Sequence, residues 1–155
     1  STLDRSSAAS DVYKRQILNN IMNKIFSFQQ AVSLSDSDAT GVIYFPKFFD
    51  LSVRVLEAFL TLRQMSLQKC FQLGIFMPIV STCGNFYLPV RFGDVIDIDL
   101  FIKELGNSSL TLQYEFRNNS GVLCAKTSIT HVTVNNQMQP ISIPKDLQAI
   151  LCNKV

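Results

Sequence analysis

An α+β fold is predicted, with one long central helix wrapped by a curved antiparallel β-sheet of about five strands. Between Pro46 and about Arg63, Phe48, Leu51, Val55, Leu56, Phe59 and Leu62 recur at helical spacing. From Asp94 onward, long runs alternate apolar and polar residues with the period of a half-buried strand. The remaining strand-like segments outnumber the helical ones, and a single helix covered by an antiparallel sheet satisfies both patterns at once.

The elements follow in order. Residues 1–16 (STLDRSSAASDVYKRQ) are polar and rich in small residues, with no period that builds a core. They read as a leader outside the fold, resembling a translated cloning adapter, with a native disordered tail as the alternative. Residues 17–155 read as one domain. Ile25 to Leu34 is strand-like and runs into a polar turn at 35–41. In the helix that Pro46 opens, Phe49, Val53 and Leu60 widen the apolar sector, so burial is expected over much of its girth. A short helical or loop stretch, Ser66 to Leu73, ends at Gly74. Phe76 to Val90 is a long apolar strand with a bulge expected at Cys83-Gly84-Asn85.

Asp94 to Glu104 sets Ile96, Ile98, Leu100 and Ile102 against Asp97, Asp99 and Lys103. Leu110, Leu112, Tyr114 and Phe116 alternate with Thr111, Gln113, Glu115 and Arg117, and the Asn118-Asn119-Ser120-Gly121 turn makes a hairpin into Val122–Asn135. Residues 144–152 read as a short helix with Pro144 at its start.

The chain of 155 residues suits one domain with a core of useful size. A net charge of +2 gives no broad basic field, so no nucleic-acid partner is implied. Cys70, Cys83, Cys124 and Cys152 are far apart and form no CxxC pair, which fits reduced thiols in a cytosol. Asn19, Asn20, Asn23 and Lys24 interrupt the apolar Ile17–Phe28 stretch, which is wrong for a membrane span or signal sequence.

The most informative segment is 36–49, Asp-Ser-Asp-Ala-Thr-Gly-Val-Ile-Tyr-Phe-Pro-Lys-Phe-Phe. Pro46 marks a helix start, which places Asp38 near unpaired backbone N–H groups and the positive end of a helix dipole. A carboxylate beside N–H groups able to hold an oxyanion is half of an acyl-transfer site. Turn-making and helix capping by Asp36 and Asp38 are the plainer alternative. A calcium loop is excluded, because Lys47 stands where the bidentate Glu is needed.

No G-x-S-x-G elbow is present, and the sole histidine, His131, reads as a half-buried strand residue rather than a base. Cys83 reads as core or bulge packing. Lys47, Asp50, Arg54, Glu57 and Thr61 form the solvated stripe of the helix, with Glu57 kept as a candidate for a cleft or subunit interface. Arg91, Lys103, Arg117 and Lys126 are candidates for ligand phosphates.

Asp36-Ser-Asp38-Ala-Thr-Gly41-Val42-Ile-Tyr44-Phe45-Pro46-Lys-Phe48 resembles the D-x-D-x-x-G signature of 4-hydroxybenzoyl-CoA thioesterase-like hotdog proteins. Leu73–Val80, Phe86–Asp94, Leu105–Tyr114 and His131–Val134 extend the likeness over about residues 25–150. The resemblance implies hydrolysis of an acyl-CoA or aroyl-CoA thioester to free acid and CoA. Asp38 matches the catalytic position, as nucleophile or general base, and the Phe45 N–H matches the group that polarises the carbonyl. Tyr44 would stand with them, and Gly41, Val42, Phe48 and Glu57 would contribute to the substrate site, with Arg91 at CoA.

Many short-chain acyl-CoA members carry His where this chain has Phe45. The Tyr44-Phe45 pair is closer to the 1,4-dihydroxy-2-naphthoyl-CoA and hydroxybenzoyl-CoA hydrolases, which suits a flat aromatic acyl group. The resemblance also implies no cofactor or metal, CoA being part of the substrate. It implies a homodimer or a homotetramer built as a dimer of dimers, with no nucleic-acid or membrane partner. A non-catalytic hotdog module that binds an acyl or CoA ligand is the competing expectation.

Overall fold

The computed structural model describes residues 24–153, so the expected 1–16 leader and the whole 17–23 segment before the first strand lie outside the described residues. The elements are β1 (Lys24–Ala31), a 3₁₀ turn (Leu34–Asp36), α1 (Pro46–Leu62), α2 (Leu67–Gln72), β2 (Ile79–Phe86), β3 (Val95–Leu105), β4 (Ser109–Arg117), β5 (Leu123–Val132) and α3 (Lys145–Cys152). The five strands make one open antiparallel sheet in the order β1-β3-β4-β5-β2.

Alternation does what it predicts in β3 and β4. Ile96, Ile98, Leu100, Ile102, Leu110, Leu112, Tyr114 and Phe116 are buried on one face, which packs against α1. Helix α1 turns Phe48, Leu51, Ser52, Val55, Leu56, Phe59 and Leu60 inward. The Phe48 ring stands edge-on to Phe116 at 5.0 Å between centroids, and Phe59 meets Phe26 of β1 at 5.7 Å. Between them the Ser52 hydroxyl donates to the Phe48 carbonyl at 2.7 Å and accepts from the Thr127 hydroxyl of β5 at 2.7 Å. Burying two hydroxyls is tolerable here because each has a partner.

The polar stripe Asp50, Arg54, Glu57 and Thr61 is exposed, as a solvated face should be, and Lys47 is half-buried. Two shorter helices, α2 and α3, accompany α1. The observed arrangement is therefore an open five-stranded sheet with three helices among the described residues.

Two expectations about the Phe76–Val90 segment are corrected. Cys83-Gly84-Asn85 is not a bulge: it pairs in unbroken register with Ser128, Thr127 and Lys126, and the irregularity falls instead between Ile79 and Ser81. Cys83 is not packed in a core either. Strand β2 is one of the two edges of the sheet, hydrogen-bonded on one side to β5, and every residue in it except Gly84 is exposed in the single chain. His131 is more buried than expected, at 5% exposed, with Nδ1 3.0 Å from the Met77 carbonyl.

Candidate active site

The polar turn between β1 and α1 is built by its own side chains. The Asp36 carboxylate accepts the Ser33 N–H at 2.9 Å and the Ser33 hydroxyl at 2.8 Å. Ser33 precedes the 3₁₀ turn, so this is the return half of a capping box. Burial pushes the Asp36 carboxyl upward, but the two Ser33 donors and the Lys47 and Arg54 cations outweigh it and hold the pKa below the usual carboxylate value.

Two residues on, the Asp38 Oδ1 accepts both the Thr40 hydroxyl at 2.5 Å and the Thr40 N–H at 2.8 Å. These bonds, with a smaller contribution from the Val42 N–H, keep Asp38 ionised below the ordinary carboxylate range. The turn closes through Gly41 N–H to the Asp38 carbonyl at 3.0 Å and Asp38 N–H to the Val42 carbonyl at 2.9 Å. Gly41 sits at φ +77°, where a side chain is strained, although a Cβ there would meet nothing within 4 Å. Backbone conformation alone sets the requirement for glycine.

The chain then enters α1 with its donors sorted. Tyr44 N–H goes to the Asp36 carbonyl at 2.8 Å, Lys47 N–H to the Tyr44 carbonyl at 2.8 Å, and Phe48 N–H to the Phe45 carbonyl at 3.2 Å. Pro46 has no N–H to place. Among the described residues, no acceptor is found for the Phe45 N–H, which stands at the N-cap of a 17-residue helix. Such a donor, at the positive end of the helix dipole, is suited to an oxygen carrying negative charge.

Phe45 also lines an apolar cavity of about 260 Å³, with Val42 and Phe48 on the same wall and Phe86–Val90 opposite. The Phe86 ring lies 6.2 Å from Phe45 and 5.2 Å from Phe48, so three aromatic faces surround the space. Tyr87 supplies the one hydroxyl on this wall, and no charged side chain lines it.

Of the residues singled out in the sequence, Val42, Phe45 and Phe48 face the cavity, while Asp38 and Gly41 sit in the turn that Val42 closes. Tyr44 is 51% exposed, with its ring 5.5 Å from that of Phe45. Arg91 is exposed, and its backbone pairs with Val42 in an isolated bridge, so it stands beside the turn. Glu57 is not brought to this place: it is exposed on α1, about 18 Å of helix rise beyond Phe45. Among the described residues no cluster of His, Cys, Asp and Glu could hold a metal ion.

Sequence reasoning missed Thr40 as the partner of Asp38 and Ser33 as the partner of Asp36. The Ser33-x-x-Asp36 spacing was the readable signal for the second. It also missed Phe86–Val90 as cavity wall, because these residues meet the start of α1 only in the folded chain, through ring contacts that no local pattern announces.

Comparisons with known proteins point the same way. Residues 32–151 match the thioesterase-like superfamily. A 1,4-dihydroxy-2-naphthoyl-CoA hydrolase of Synechocystis is 27% identical over 131 residues, covering 83% of this chain and 95% of the relative. Another of that name from Crocosphaera subtropica is 30% identical over 116 residues, covering 73% of this chain and 85% of the relative. Among solved structures, a 1,4-dihydroxy-2-naphthoyl-CoA thioesterase from Synechocystis superposes with a TM-score of 0.78 at 26% identity, covering 83% of this chain and 96% of that one. The open five-stranded sheet is therefore the hotdog thioesterase fold.

Proposed function

The chain belongs to the thioesterase-like superfamily, its relatives are named as CoA thioester hydrolases, and on that premise we propose that it hydrolyses an aromatic acyl-CoA thioester at the turn before α1. The observation that carries this reading is the Phe45 N–H, a helix-start donor with no acceptor among the described residues, on a residue that lines an aromatic cavity. In this reading the Phe45 N–H binds the thioester carbonyl oxygen and strengthens its hold as negative charge develops there. A flat acyl group stacks among Phe45, Phe48 and Phe86.

Asp38 supplies the ionised carboxylate by one of two routes. As nucleophile, one of its oxygens attacks the carbonyl carbon, the C–S bond breaks, and CoA leaves as a thiolate that takes up a proton. Water then splits the mixed anhydride, giving the free acid and restoring the carboxylate. As general base, Asp38 takes a proton from water while that water attacks the same carbon, and the proton passes to the departing sulfur. Phe45 has no side-chain proton to give, so both routes rest on Asp38 and backbone amides.

The helix-in-sheet arrangement belongs to the same proposal, with α1 as the central helix that the sheet wraps. So does a second copy of the chain. An eight-residue edge strand with exposed Ile79, Val80 and Phe86, next to exposed Tyr87, Leu88, Tyr44 and Phe45, supports pairing about a two-fold axis beside the cavity. Homodimer or homotetramer is the expected state. The described cysteines form no disulfide with one another, which supports a cytosolic setting, and no described helix is long and apolar enough to cross a membrane.

Release of free thiol from a panel of aromatic and aliphatic CoA thioesters tests the proposal. Turnover highest on aromatic thioesters is expected. Tight binding of the same ligands with no thiol released would instead favour a non-catalytic binding module.

A further inference from the structure

We propose that Thr40 is a positioning residue for Asp38, holding one oxygen of the carboxylate so that the other is the oxygen presented to the thioester or to water. The inference rests on the reading of Asp38 as the catalytic carboxylate. Asp38 is exposed in the single chain, and an exposed Asp side chain is free to turn about two torsions. Thr40 removes that freedom. Its N–H and hydroxyl both reach Oδ1, at 2.8 and 2.5 Å, and no other side chain among the described residues is found hydrogen-bonded to Asp38.

The two bonds differ in what they require. Any residue but proline at position 40 supplies the N–H, whose bond to Asp38 is a local turn. The hydroxyl needs Ser or Thr, and the second donor is what fixes the plane of the carboxylate rather than merely its distance. The β-branched side chain, with its restricted χ1, holds the hydroxyl in place. The turn that carries both residues is closed by Gly41 N–H to the Asp38 carbonyl, and Val42, the next residue, lines the cavity. The orientation of the carboxylate is thus set by the segment that forms the cavity wall.

Thr40→Val and Thr40→Ser, measured beside Asp38→Asn, test this. Thr40→Val keeps the shape and the N–H and deletes the hydroxyl. The expected result is a fall of about tenfold in kcat, as for losing one hydrogen bond to a charged group, with KM little changed. The acid limb of the kcat/KM profile should move to higher pH, because a carboxylate with one donor fewer is easier to protonate. Thr40→Ser should restore both kcat and the profile. A merely structural residue would not show the paired shift and rescue.

Wild-type kcat and acid limb in Thr40→Val, with Asp38→Asn inactive, would overturn the proposal while leaving the role of Asp38 intact. A Thr40→Ser as impaired as Thr40→Val would overturn it as well. Full turnover in Asp38→Asn would remove the parent reading and Thr40 with it. Thr40 is exposed, and far-UV circular dichroism of each variant checks the fold.

Discussion

The Asp36 carbonyl accepts the Tyr44 N–H at 2.8 Å, and this bond decides which donor remains at the start of α1. With Tyr44 N–H engaged and Pro46 lacking one, the Phe45 N–H stands without an acceptor among the described residues. Asp36 therefore holds the turn through its backbone carbonyl as well as its carboxylate.

Asp36→Asn keeps an acceptor for Ser33 and removes only the charge that faces Lys47 and Arg54, so it is expected to weaken the fold by about 0.5 kcal/mol at neutral pH, while turnover falls much less than in an Asp38 variant. The folded-state pKa of Asp36 lies below its unfolded value, so its stabilisation is present above the ordinary carboxylate range and is lost as pH falls through the folded pKa. Urea midpoints of wild type and variant should differ at neutral pH and converge below about pH 4.

Gly84→Ala tests the cavity wall. A Cβ at this position would lie 2.9 Å from the tip of the Phe86 ring and 3.0 Å from that of Phe49, so at least one ring must move. Phe86 lines the cavity. The Phe86 ring is 46% exposed and can turn aside, so stability should fall by no more than about 1 kcal/mol, while kcat/KM for aromatic thioesters should fall more than for short aliphatic ones. Equal losses on both classes would mean that Phe86 does not shape the acyl site.

Tyr114 buries its phenol in the core, where burial raises its pKa and no partner is found for its hydroxyl among the described residues. Tyr114→Phe removes a desolvated polar atom and keeps the ring. Chemical denaturation should give a stability unchanged or raised by up to about 1 kcal/mol.

The helix and the strands β3 and β4 were legible because each buries one continuous face, and a buried face writes its period into the chain. The edge position of β2 was not. Its apolar residues suggest burial, yet the single chain exposes Ile79, Val80 and Phe86, and the order β5-β2 follows from register rather than from local pattern. Asp38 was readable through its neighbours Gly41 and Pro46. Its grip by Thr40 was not, since one dipeptide spacing occurs too often by chance to carry weight. Glu57, kept for its charge on an otherwise apolar helix, lies on the solvated stripe because that stripe continues past it to Thr61.

The role of Asp38 is tested most directly by Asp38→Asn in a thiol-release assay on an aromatic CoA thioester, with circular dichroism and urea unfolding to verify the fold. The side chain is exposed and its partner Thr40 is local, so the fold should persist. Turnover should drop by at least about a hundredfold, the low end for losing a positioned base. A folded Asp38→Asn protein that releases thiol at the wild-type rate would contradict the account.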